Sequence, residues 1–598
     1  MPRRAAAPRH TAHREAARSL ADDLRGRTDE ELAALLRARP DLARPAPADL
    51  TALATRASTR TSVHRALERL DRGLWHTVQA VVVAGQAAAE PGEPAGPVRL
   101  AQVAALLGVP ETRARSLVDR LWQLALLWRS GRGTELTRNL PEALGPHPAG
   151  LGLRGTDLDP RYAAHQPPSA AELTELLTQA SEAAVAVLDR LTWAGPTGHL
   201  PGTGPAREGA DWLIAHGLAA PSRTGHVTLA REVALARRQG RLHRELALDP
   251  PAMHPTRPGH DAVRGAAGAA AAELLDRVDE LTGWLADTAP RVLRAGGLSA
   301  RELTRLAKAL GVTEPQACFT VELAAAAGLV AEDGKTVATW ALTADVDTWQ
   351  TLDPAQRWTG LAGAWASSPR AAHLVTAGAL GAEGHWPGIR ALRADVLAEL
   401  AAHPGAAPAV EEVVAMLGWR RPMRDPALTE AGVPAVLREA AWLGLTGHGA
   451  LTELGQGLAD GASPDELIRL AAALLPPPVD HVLLQGDLTA IAPGSPTGSL
   501  GRFMRLVGDV ESRGGAVVFR FTASSVRRAL DAGHTADDVL HRLAANSRTP
   551  VPQPLDYLVR DVARRHGQTR VGGATAYLRS DDEVLVAALL ADRALGPA

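Results

Sequence analysis

The sequence predicts a mainly α fold with small β elements, and three observations support this. Apolar residues recur at helical spacing from about residue 19 to about residue 470. Four times in that region a helix is followed by two short apolar strands joined by a polar glycine turn, the pattern of a helix that carries a β-hairpin wing. After Pro476–Pro478 strands alternate with helices. Together these patterns predict tandem, divergent winged-helix units followed by a small α/β C-terminal domain.

Composition places the chain among globular proteins and limits its partners. The 598 residues are 46% hydrophobic and 22% charged, values near the globular average, and a chain of this length is expected to form about three to six domains. Lys and Arg number 64 against 66 Asp and Glu, a net charge of −2. This balance excludes a uniformly basic nucleic-acid-binding coat but leaves local basic faces open.

The cysteine content and the N-terminus narrow the class of protein further. The single cysteine, Cys318, excludes an internal disulfide framework and a cysteine-based zinc site. Residues 1–18 are rich in Arg, Ala and His without the apolar core of a secretory signal, and are predicted to be a disordered basic N-terminus. No apolar run reaches about 18 residues, so we expect no transmembrane helix and no membrane partner. The expected location is the cytoplasm, with nucleoid association as an option.

The first winged helix is predicted within a helical N-terminal region, residues 19–145. Leu100–Leu126 contains two helical segments separated by the turn Leu107–Val109, and a glycine in such a turn adopts a positive φ at little cost. Further helices upstream are indicated by apolar residues at helical spacing, first Leu32, Leu35 and Leu36 and then Val63, Leu67 and Leu70.

Three more winged-helix units are predicted in residues 169–247, 266–350 and 351–475, the last within a longer helical region. Leu298–Leu323 repeats the helix–turn–helix pattern with a turn at Leu310–Val312. Each unit is identified by the helix end and hairpin that form its wing; the four wing segments are Leu121–Thr137, Trp212–Leu229, Ala327–Thr343 and Trp442–Thr452.

The C-terminal domain, residues 478–598, is predicted to combine strands and helices. Val482–Ile491 and Ala516–Phe521 are predicted strands, and Leu500–Ser512 is predicted to be helical. Three short helices are predicted next, and the chain then becomes extended and ends in another helix; these segments are Ala523–Ala532, Thr535–Asn546, Pro554–His566, Thr569–Leu578 and Asp581–Ala594.

Local charge distinguishes the two helix–turn–helix segments. Glu111–Gly133 carries five arginines against two acidic residues, a net +3, whereas Thr313–Thr336 carries one lysine against four acidic residues, a net −3. The basic copy is therefore predicted to face DNA and the acidic copy to face protein or to pack. The predicted nucleic-acid-binding residues of the basic copy are Arg113, Arg115, Arg120, Arg129 and Arg132.

A second basic surface is predicted in the C-terminal domain. Arg502–Arg570 contains twelve arginines against seven acidic residues, a net +5. The pairs Arg527–Arg528 and Arg564–Arg565 lie on separate predicted helices and are candidate nucleic-acid-binding residues. The alternative is a solvated surface on which Arg527 and Arg528 pair with acidic neighbours, namely Asp531, Asp537 or Asp538, in weak exposed ion pairs.

No catalytic, cofactor or metal motif emerges. The one Gly-Lys-Thr sequence, Gly334–Thr336, lies in a predicted wing with no helix after it, and its nearest upstream glycine, Gly328, is one residue too far away for a phosphate-binding loop. The pattern Gly150, Gly152, Gly155 matches a dinucleotide fingerprint only in spacing, since prolines surround it where a strand and a helix are required. We therefore predict a protein that is not an enzyme and needs no cofactor or metal.

The tryptophans leave two interpretations open. They mostly fall at helical or strand positions, which favours packing in the core, yet exposed aromatic side chains also serve as stacking platforms for single-stranded nucleic acid. The residues concerned are Trp122, Trp128, Trp193, Trp212, Trp340, Trp349, Trp358 and Trp365.

Several segments together resemble a known family. The strongest are Val482–Pro496 (VLLQGDLTAIAPGSP), Phe521–Asn546, Pro552–Gly567 and Tyr577–Asp582, and two more matches lie near the N-terminus, Leu32–Leu53 and Ser58–Leu70 (STRTSVHRALERL). In these segments the chain resembles the bacterial, especially actinobacterial, helicase-associated family that is related to the non-motor N-terminal domain of XPB-type helicases. The resemblance implies a DNA-linked, helicase-related role and an XPB-N-like α/β domain at residues 478–598. Members of that family usually continue beyond the segment matching Tyr577–Ala594.

These observations lead to one functional prediction and one rival. The prediction is a non-catalytic, helicase-associated DNA-binding protein, acting in DNA repair or transcription, that contacts duplex DNA and works with a separate helicase or nuclease subunit. The rival is a protein-interaction scaffold for a helicase, nuclease or transcription complex that makes no direct DNA contact, because winged helices also dock proteins.

Overall fold

The computed structural model describes residues 18–89, 95–158, 168–221, 225–477, 479–494, 496, 498–512 and 516–566. These residues form a mainly helical structure with small antiparallel sheets, so the predicted fold class is confirmed. The basic N-terminus (1–17), the extended segment Thr569–Leu578 and the last predicted helix, Asp581–Ala594, lie outside the described residues.

The N-terminal region begins with five short helices, of which the first four surround a small core and the fifth packs into the core of unit 1. The second helix starts with a reciprocal cap in which Thr28 and Glu31 satisfy each other's backbone N–H groups, and its Leu35 is buried. The helices are α1 (Leu20–Arg25), α2 (Asp29–Ala38), α3 (Pro40–Ala43), α4 (Leu50–Ala57) and α5 (Arg60–Leu67).

Unit 1 consists of three helices and a hairpin, residues 72–136. The turn between its second and third helices contains Gly108 at a φ of +65°, the left-handed conformation that the sequence predicts there. An isolated antiparallel bridge joins Val98 to Thr134 of the hairpin. The elements are α6 (Arg72–Ala87), α7 (Leu100–Leu107), α8 (Glu111–Gln123), β1 (Leu127–Ser130) and β2 (Gly133–Leu136).

Unit 2, residues 182–229, is a reduced version of the same arrangement. One helix lies between its first strand and its hairpin, whereas unit 1 has two at that place. Three strands form a sheet in the order β3-β5-β4. In chain order the region contains α9 (Leu140–Ala143), α10 (Gly155–Leu158), α11 (Ala170–Leu177), α12 (Glu182–Trp193), β3 (Thr197–His199), α13 (Pro205–Ala215), β4 (Ala219–Pro221), β5 (His226–Leu229) and α14 (Arg231–Arg237).

Unit 3, residues 260–342, repeats the three helices and the hairpin. Its turn glycine, Gly311, has a φ of +63°, close to that of Gly108. The elements are α15 (His260–Thr288), α16 (Ala300–Leu310), α17 (Glu314–Ala326), β6 (Val330–Glu332) and β7 (Trp340–Leu342), and α18 (Asp345–Thr351) and α19 (Pro354–Ser367) follow.

Unit 4, residues 388–451, has the same order of elements with the shortest hairpin. Two helices after the hairpin complete the region, and the second of them packs against α19. The elements are α20 (Gly388–Ala401), α21 (Val410–Arg420), α22 (Pro426–Trp442), β8 (Thr446–Gly447), β9 (Ala450–Leu451), α23 (Glu453–Asp460) and α24 (Pro464–Leu474).

The C-terminal domain contains a four-stranded antiparallel sheet in the order β10-β11-β13-β12. Its core, which includes Phe503, Phe519 and Phe521, is separate from the cores of the preceding units. The elements are β10 (Leu483–Leu484), β11 (Thr489–Ala492), α25 (Gly498–Val507), β12 (Asp509–Ser512), β13 (Val517–Arg520), α26 (Ala523–Asp531), α27 (Ala536–Ala545) and α28 (Gln553–Arg565).

Two local predictions in this domain are wrong. Val482–Ile491 is a hairpin rather than one strand, because Leu488 takes a φ of +66° and the Asp487 carboxylate accepts a hydrogen bond from the Thr489 N–H (3.1 Å). The helix predicted over Leu500–Ser512 ends at Val507, and the polar residues after Gly508 form β12, which pairs with β13.

The units are joined by polar contacts as well as by the chain. The Trp419 indole N–H donates to the Ala247 carbonyl (3.0 Å), and Arg421 donates to the Arg69 carbonyl (3.3 Å). Arg505 of the C-terminal domain pairs with Asp276 of α15 (3.2 Å). Among the helices of the described ranges, none is both long enough and apolar enough to cross a bilayer.

Candidate nucleic-acid interface

Helix α8 of unit 1 has one buried and one exposed face. The residues that pack inward recur at helical spacing: Ala114, Leu117, Val118, Leu121 and Trp122. Arg113, Arg115 and Arg120 lie on the exposed face. The three predicted residues are therefore open to solvent, with Arg113 and Arg120 near one edge of the exposed side of the helix and Arg115 near the other edge.

The wing places the other two predicted arginines beside that surface. Arg129 on β1 and Arg132 in the turn are exposed. Arg132 pairs with Glu135 of β2 (3.4 Å), and Arg129 pairs with Asp119 of α8 (2.7 Å). The Arg129–Asp119 pair thus joins the β1–β2 hairpin to the exposed side of α8.

Arg129 also has a packing role that the sequence did not reveal. Its guanidinium carbon lies 4.2 Å from the centre of the Trp122 ring, and that of Arg27 lies at the same distance. The Trp122 indole N–H donates to the Asp23 carboxylate (3.0 Å), which also accepts bonds from Arg27. This cluster fixes the N-terminal helices to the wing, so Arg129 stabilises the fold through a cation–π contact as well as presenting charge.

Two arginines of α8 pair with acids from distant parts of the chain. Arg113 forms an ion pair with Asp249, 136 residues away. Arg120 pairs with Asp71 (2.8 Å), which also caps α6 by accepting from the Leu74 N–H. Arg115 is exposed and has no ion pair among the described residues.

These pairings change the local charge. Within Glu111–Gly133 the acids that accompany the five arginines are Glu111 and Asp119. The folded chain brings three more acids to these arginines, namely Asp71, Glu135 and Asp249. The charge around these arginines is thus close to neutral rather than +3. Exposed ion pairs contribute only about 0–1 kcal/mol each, so a phosphate can replace the carboxylate without a large loss of stability.

The corresponding helix of unit 3 cannot serve the same purpose. Eight consecutive residues of α17, from Ala317 to Ala324, are buried, and Phe319 packs against Trp442 of α22 with ring centres 5.5 Å apart. Glu322 lies in the core and pairs with Arg370. Helix α17 therefore has no free face along this stretch that could enter a DNA groove.

The C-terminal arginines are in mixed environments. Arg528 donates to the carbonyls of Arg505, Leu506 and Gly508 and pairs with Asp509 (2.9 Å), so it caps the end of α25. Its neighbour Arg527 is exposed and has no ion pair in the part of the chain that the structure describes.

Arg564 and Arg565, on α28, both pair with Asp561. The pairings expected for Arg527 and Arg528 with Asp531, Asp537 or Asp538 are wrong. Helix α26 directs Arg528 towards the end of α25, and Asp537 pairs with Arg560 (3.1 Å).

The two glycine-rich motifs have structural roles. Lys335 pairs with Asp333 (2.9 Å) inside the wing of unit 3, where the Thr339 backbone N–H in particular lowers the pKa of Asp333. Arg231 donates to the Gly152 carbonyl (2.9 Å), and a side chain at Gly152 would meet the Leu229 carbonyl. The chain at Gly152 thus presents a carbonyl to a cation, the opposite of what a phosphate site requires.

The structure also bears on two other kinds of site, a reactive cysteine and a metal centre. Burial in particular raises the pKa of the Cys318 thiol to about 12, so the thiol stays protonated and is a poor nucleophile. The residues that the structure describes contain no cluster of three or more His, Cys, Asp or Glu side chains suited to a metal ion.

The tryptophans separate into two groups. The buried ones are Trp122, Trp340, Trp349, Trp358 and Trp365, and Trp128 and Trp212 are partly buried. Trp193, at the end of α12, keeps 36% of its surface exposed. Packing therefore explains most of the predicted set, and Trp193 remains as a candidate stacking platform.

The C-terminal residues match a known protein family. A family model described as helicase conserved C-terminal domain covers residues 482–598, about a fifth of the chain. The chain is therefore similar to helicase C-terminal regions at this end, which supports a helicase-associated protein. No curated protein sequence matches the chain.

Proposed function

We propose that this helicase-associated protein is a non-catalytic DNA-binding protein that contacts duplex DNA through unit 1 and acts in DNA repair or transcription. Helix α8 would enter the major groove and the wing, with Arg129 and Arg132, would contact phosphate. The family match at the C-terminus supports the link to helicases. The finer assignment of residues 478–598 as XPB-N-like, and of a separate helicase or nuclease subunit as partner, belongs to the same proposal.

The observation that carries the proposal is the contrast between Arg115 and its surroundings. Arg115 projects from one edge of the exposed side of α8 with no ion pair among the described residues, and Arg113 and Arg120 lie at the other edge of that side in pairs that can exchange. A helix whose opposite face is fully packed and whose free face carries guanidinium groups fits the recognition helix of a winged-helix domain.

The test is DNA binding measured across a range of salt concentrations. Each phosphate contact contributes about one unit to the slope of log K against log salt. Arg115→Ala should therefore lower that slope by about one, whereas Arg301→Ala, at an exposed position on α16 of unit 3, should leave it unchanged. Equal slopes for the parent protein and Arg115→Ala would show that α8 is not the contact surface.

The scaffold hypothesis is the second candidate. Its support is the pairing of four of the five unit 1 arginines with carboxylates and the net charge of −2. It predicts no measurable duplex binding at low salt, together with retention on a helicase or nuclease subunit. Salt-sensitive binding by the parent protein would exclude this hypothesis as the whole function.

The C-terminal domain is proposed to add a second basic contact through Arg527, with Arg564 and Arg565 on α28. Its separate core supports independent folding. A fragment that begins near residue 478 should unfold cooperatively, and Arg527→Ala in the full chain should weaken DNA binding at low salt. Arg528→Ala is a poor probe of that contact, because Arg528 caps α25.

A further inference from the structure

Trp193 lies at the C-terminal end of α12 with 36% of its surface exposed. The guanidinium carbon of Arg238 lies 4.5 Å from the centre of its ring, and that of Arg244 lies at 4.8 Å. Trp193 thus presents an indole to solvent beside two cations, whereas Trp358 and Trp365 are fully buried.

Arg238 is a fixed part of this site. It is buried, and its guanidinium donates to the carbonyls of Ala149 (2.9 Å), Gly150 (3.2 Å), Thr192 (3.0 Å) and Leu242 (2.8 Å). Burial lowers its pKa to about 10, so it remains protonated at neutral pH. Arg238 therefore holds the indole in place and keeps a positive charge under it.

Arg244 is the exposed counterpart. It is exposed, and its contact with Trp193 is the one interaction that the described residues give it. A guanidinium held by a cation–π contact alone, worth about 0.5–1 kcal/mol at an exposed site, can move away at little cost. The site then offers a flat aromatic surface and a free cation, which match the base and the phosphate of one nucleotide.

The surrounding charge favours an anion. Arg190, one turn earlier on α12, is exposed and has no ion pair within the described ranges. The neighbouring Asp189 is already paired with Arg237 (2.8 Å). Glu245 is the acidic residue next to Arg244 in the chain, and it too is exposed. The free charges at the site thus include two arginines against one glutamate.

The segment 238–244 connects this site to unit 1. The Leu242 N–H donates to the Leu106 carbonyl (3.0 Å), and His243 stacks on His76 of α6 with ring centres 3.9 Å apart. Arg241 lies beside Gly108, the turn that precedes α8. From Arg241 to Arg244 the chain spans at most about 11 Å, so the Trp193 site lies next to the helix–turn–helix of unit 1.

From this geometry we infer that Trp193 and Arg244 form a stacking site for an unpaired base of single-stranded DNA beside the duplex-binding face of unit 1. The inference rests on the proposed function for its duplex half. The preferred ligand is a junction, with the duplex on α8 and the first unpaired nucleotides on Trp193. Such a junction is the product of strand separation, which suits a helicase-associated protein.

Three DNA probes test the inference on the full chain by fluorescence anisotropy. They are a blunt duplex, the same duplex with a single-stranded tail of about ten thymidines, and the thymidine oligonucleotide alone. The parent protein should bind the tailed duplex about tenfold more tightly than the blunt one, the effect expected when one base stacks on an aromatic side chain. Trp193→Ala should abolish this preference and leave blunt-duplex affinity unchanged.

Two further variants separate stacking from folding. Trp193→Phe keeps an aromatic ring and should retain most of the preference, and Arg244→Ala should reduce it about threefold through loss of one phosphate contact. Val337→Ala shortens an apolar side chain that is 59% exposed in the β6–β7 hairpin of unit 3 and should have no effect. Each variant is checked for an unchanged melting temperature.

The outcomes distinguish this inference from the proposed function. Equal binding of tailed and blunt duplexes by the parent protein overturns the stacking site while leaving duplex binding intact. A preference that survives Trp193→Ala also overturns it. Loss of blunt-duplex binding alone, with thymidine binding that depends on Trp193, removes the duplex function and keeps the stacking site. Absence of binding to every probe removes both.

Discussion

Helices α8 and α17 occupy the same place in units 1 and 3 but present opposite surfaces. Counted from the turn glycines Gly108 and Gly311, Arg115 corresponds to Cys318, Ser116 to Phe319 and Arg120 to Leu323. These three positions are polar and exposed in α8 but apolar and buried in α17. The two helices therefore keep one backbone arrangement and use it for two purposes.

What covers α17 explains the difference. Helices α19 and α22 and the loop between α19 and α20 pack around it, and they bring Arg370 to the buried Glu322. On the exposed side of α8 the corresponding contacts are ion pairs with two acids from other parts of the chain, Asp249 and Asp71, the N-cap of α6. Fold alone does not assign a DNA-binding role; the residues at the third-helix surface and their cover decide it.

The largest expected change in stability comes from exchanging the residues at one equivalent position of α8 and α17. Cys318→Arg places a charge in the packed core, which costs several kcal/mol per unpaired ion, and should leave the protein unfolded or insoluble. Arg115→Cys, at an exposed position, should change the free energy of unfolding by less than about 0.5 kcal/mol. Urea unfolding of both variants provides the measurement. A soluble Cys318→Arg variant of parental stability would show that the helices and loop packed around α17 can move away from it.

The next largest effect concerns the acids at another equivalent pair, Asp119 and Glu322. Glu322, whose side chain is 5% exposed, accepts from Arg370 and from the Leu380 N–H (2.6 Å). Glu322→Ala leaves the Leu380 N–H without its acceptor and Arg370 without its carboxylate, although Arg370 keeps its bond to the Gly381 carbonyl (2.7 Å), and should cost about 3–5 kcal/mol. Asp119→Ala breaks the exposed pair with Arg129 and should cost about 0–1 kcal/mol. Similar losses for the two variants would contradict the assignment of one acid to the core and the other to the surface.

Sequence patterns were sufficient for the local features of this comparison. The turn glycines, the helices on either side of them and the hairpins after them follow from residues close together in the chain. The acidic charge of α17 and its lack of arginines already favoured packing or protein contact over DNA contact. The polar alternation of Asp509–Ser512 was too short to separate from the helix before it, so β12 was missed.

Long-range pairing was beyond the sequence. Asp249 meets Arg113 across 136 residues, and Asp71 meets Arg120 across 49, so a charge count over a window misses them. Nor could helical spacing separate the exposed Trp193 from the buried tryptophans. Its exposure depends on where α12 ends relative to segment 238–244, which tertiary packing decides.

Acid should weaken the packing of segment 238–244 against helix α6 of unit 1, where His243 stacks on His76. Burial, with Arg72, lowers the pKa of His76 to about 4, and burial, with His76 and Arg238, lowers that of His243 to about 3. Because the unfolded chain binds these protons near pH 6.5, the stability from the neutral stack is complete above pH 6.5 and is lost as pH falls towards 4. We expect a loss of about 2 kcal/mol for each histidine at pH 5, on the order of 4 kcal/mol for the pair.

The control for this prediction replaces both rings without removing the stack. In His76→Phe/His243→Phe the free energy of unfolding should fall less between pH 7 and pH 5 than in the parent protein. His373, whose pKa is also lowered to about 4, mainly by burial, contributes to the slope of both proteins, so their difference reports on the stacked pair. Identical slopes would show that the stack does not remain neutral in the folded state.

The smallest expected effect is also the most direct probe of how α8 is covered. Asp249 pairs with Arg113 from an exposed position, so Asp249→Asn should release the Arg113 guanidinium without disturbing the core. An exposed pair worth up to about 1 kcal/mol limits the resulting gain in duplex affinity to about fivefold. The gain should shrink as salt rises, because salt screens exposed charges.

Asp189→Asn, which breaks a similarly exposed pair between α12 and Arg237 of α14, is the matched control and should have no effect on blunt-duplex binding. If Asp249→Asn weakens binding instead, Asp249 positions Arg113 for its phosphate rather than competing with it, and the segment that carries it is then part of the binding surface and not its cover.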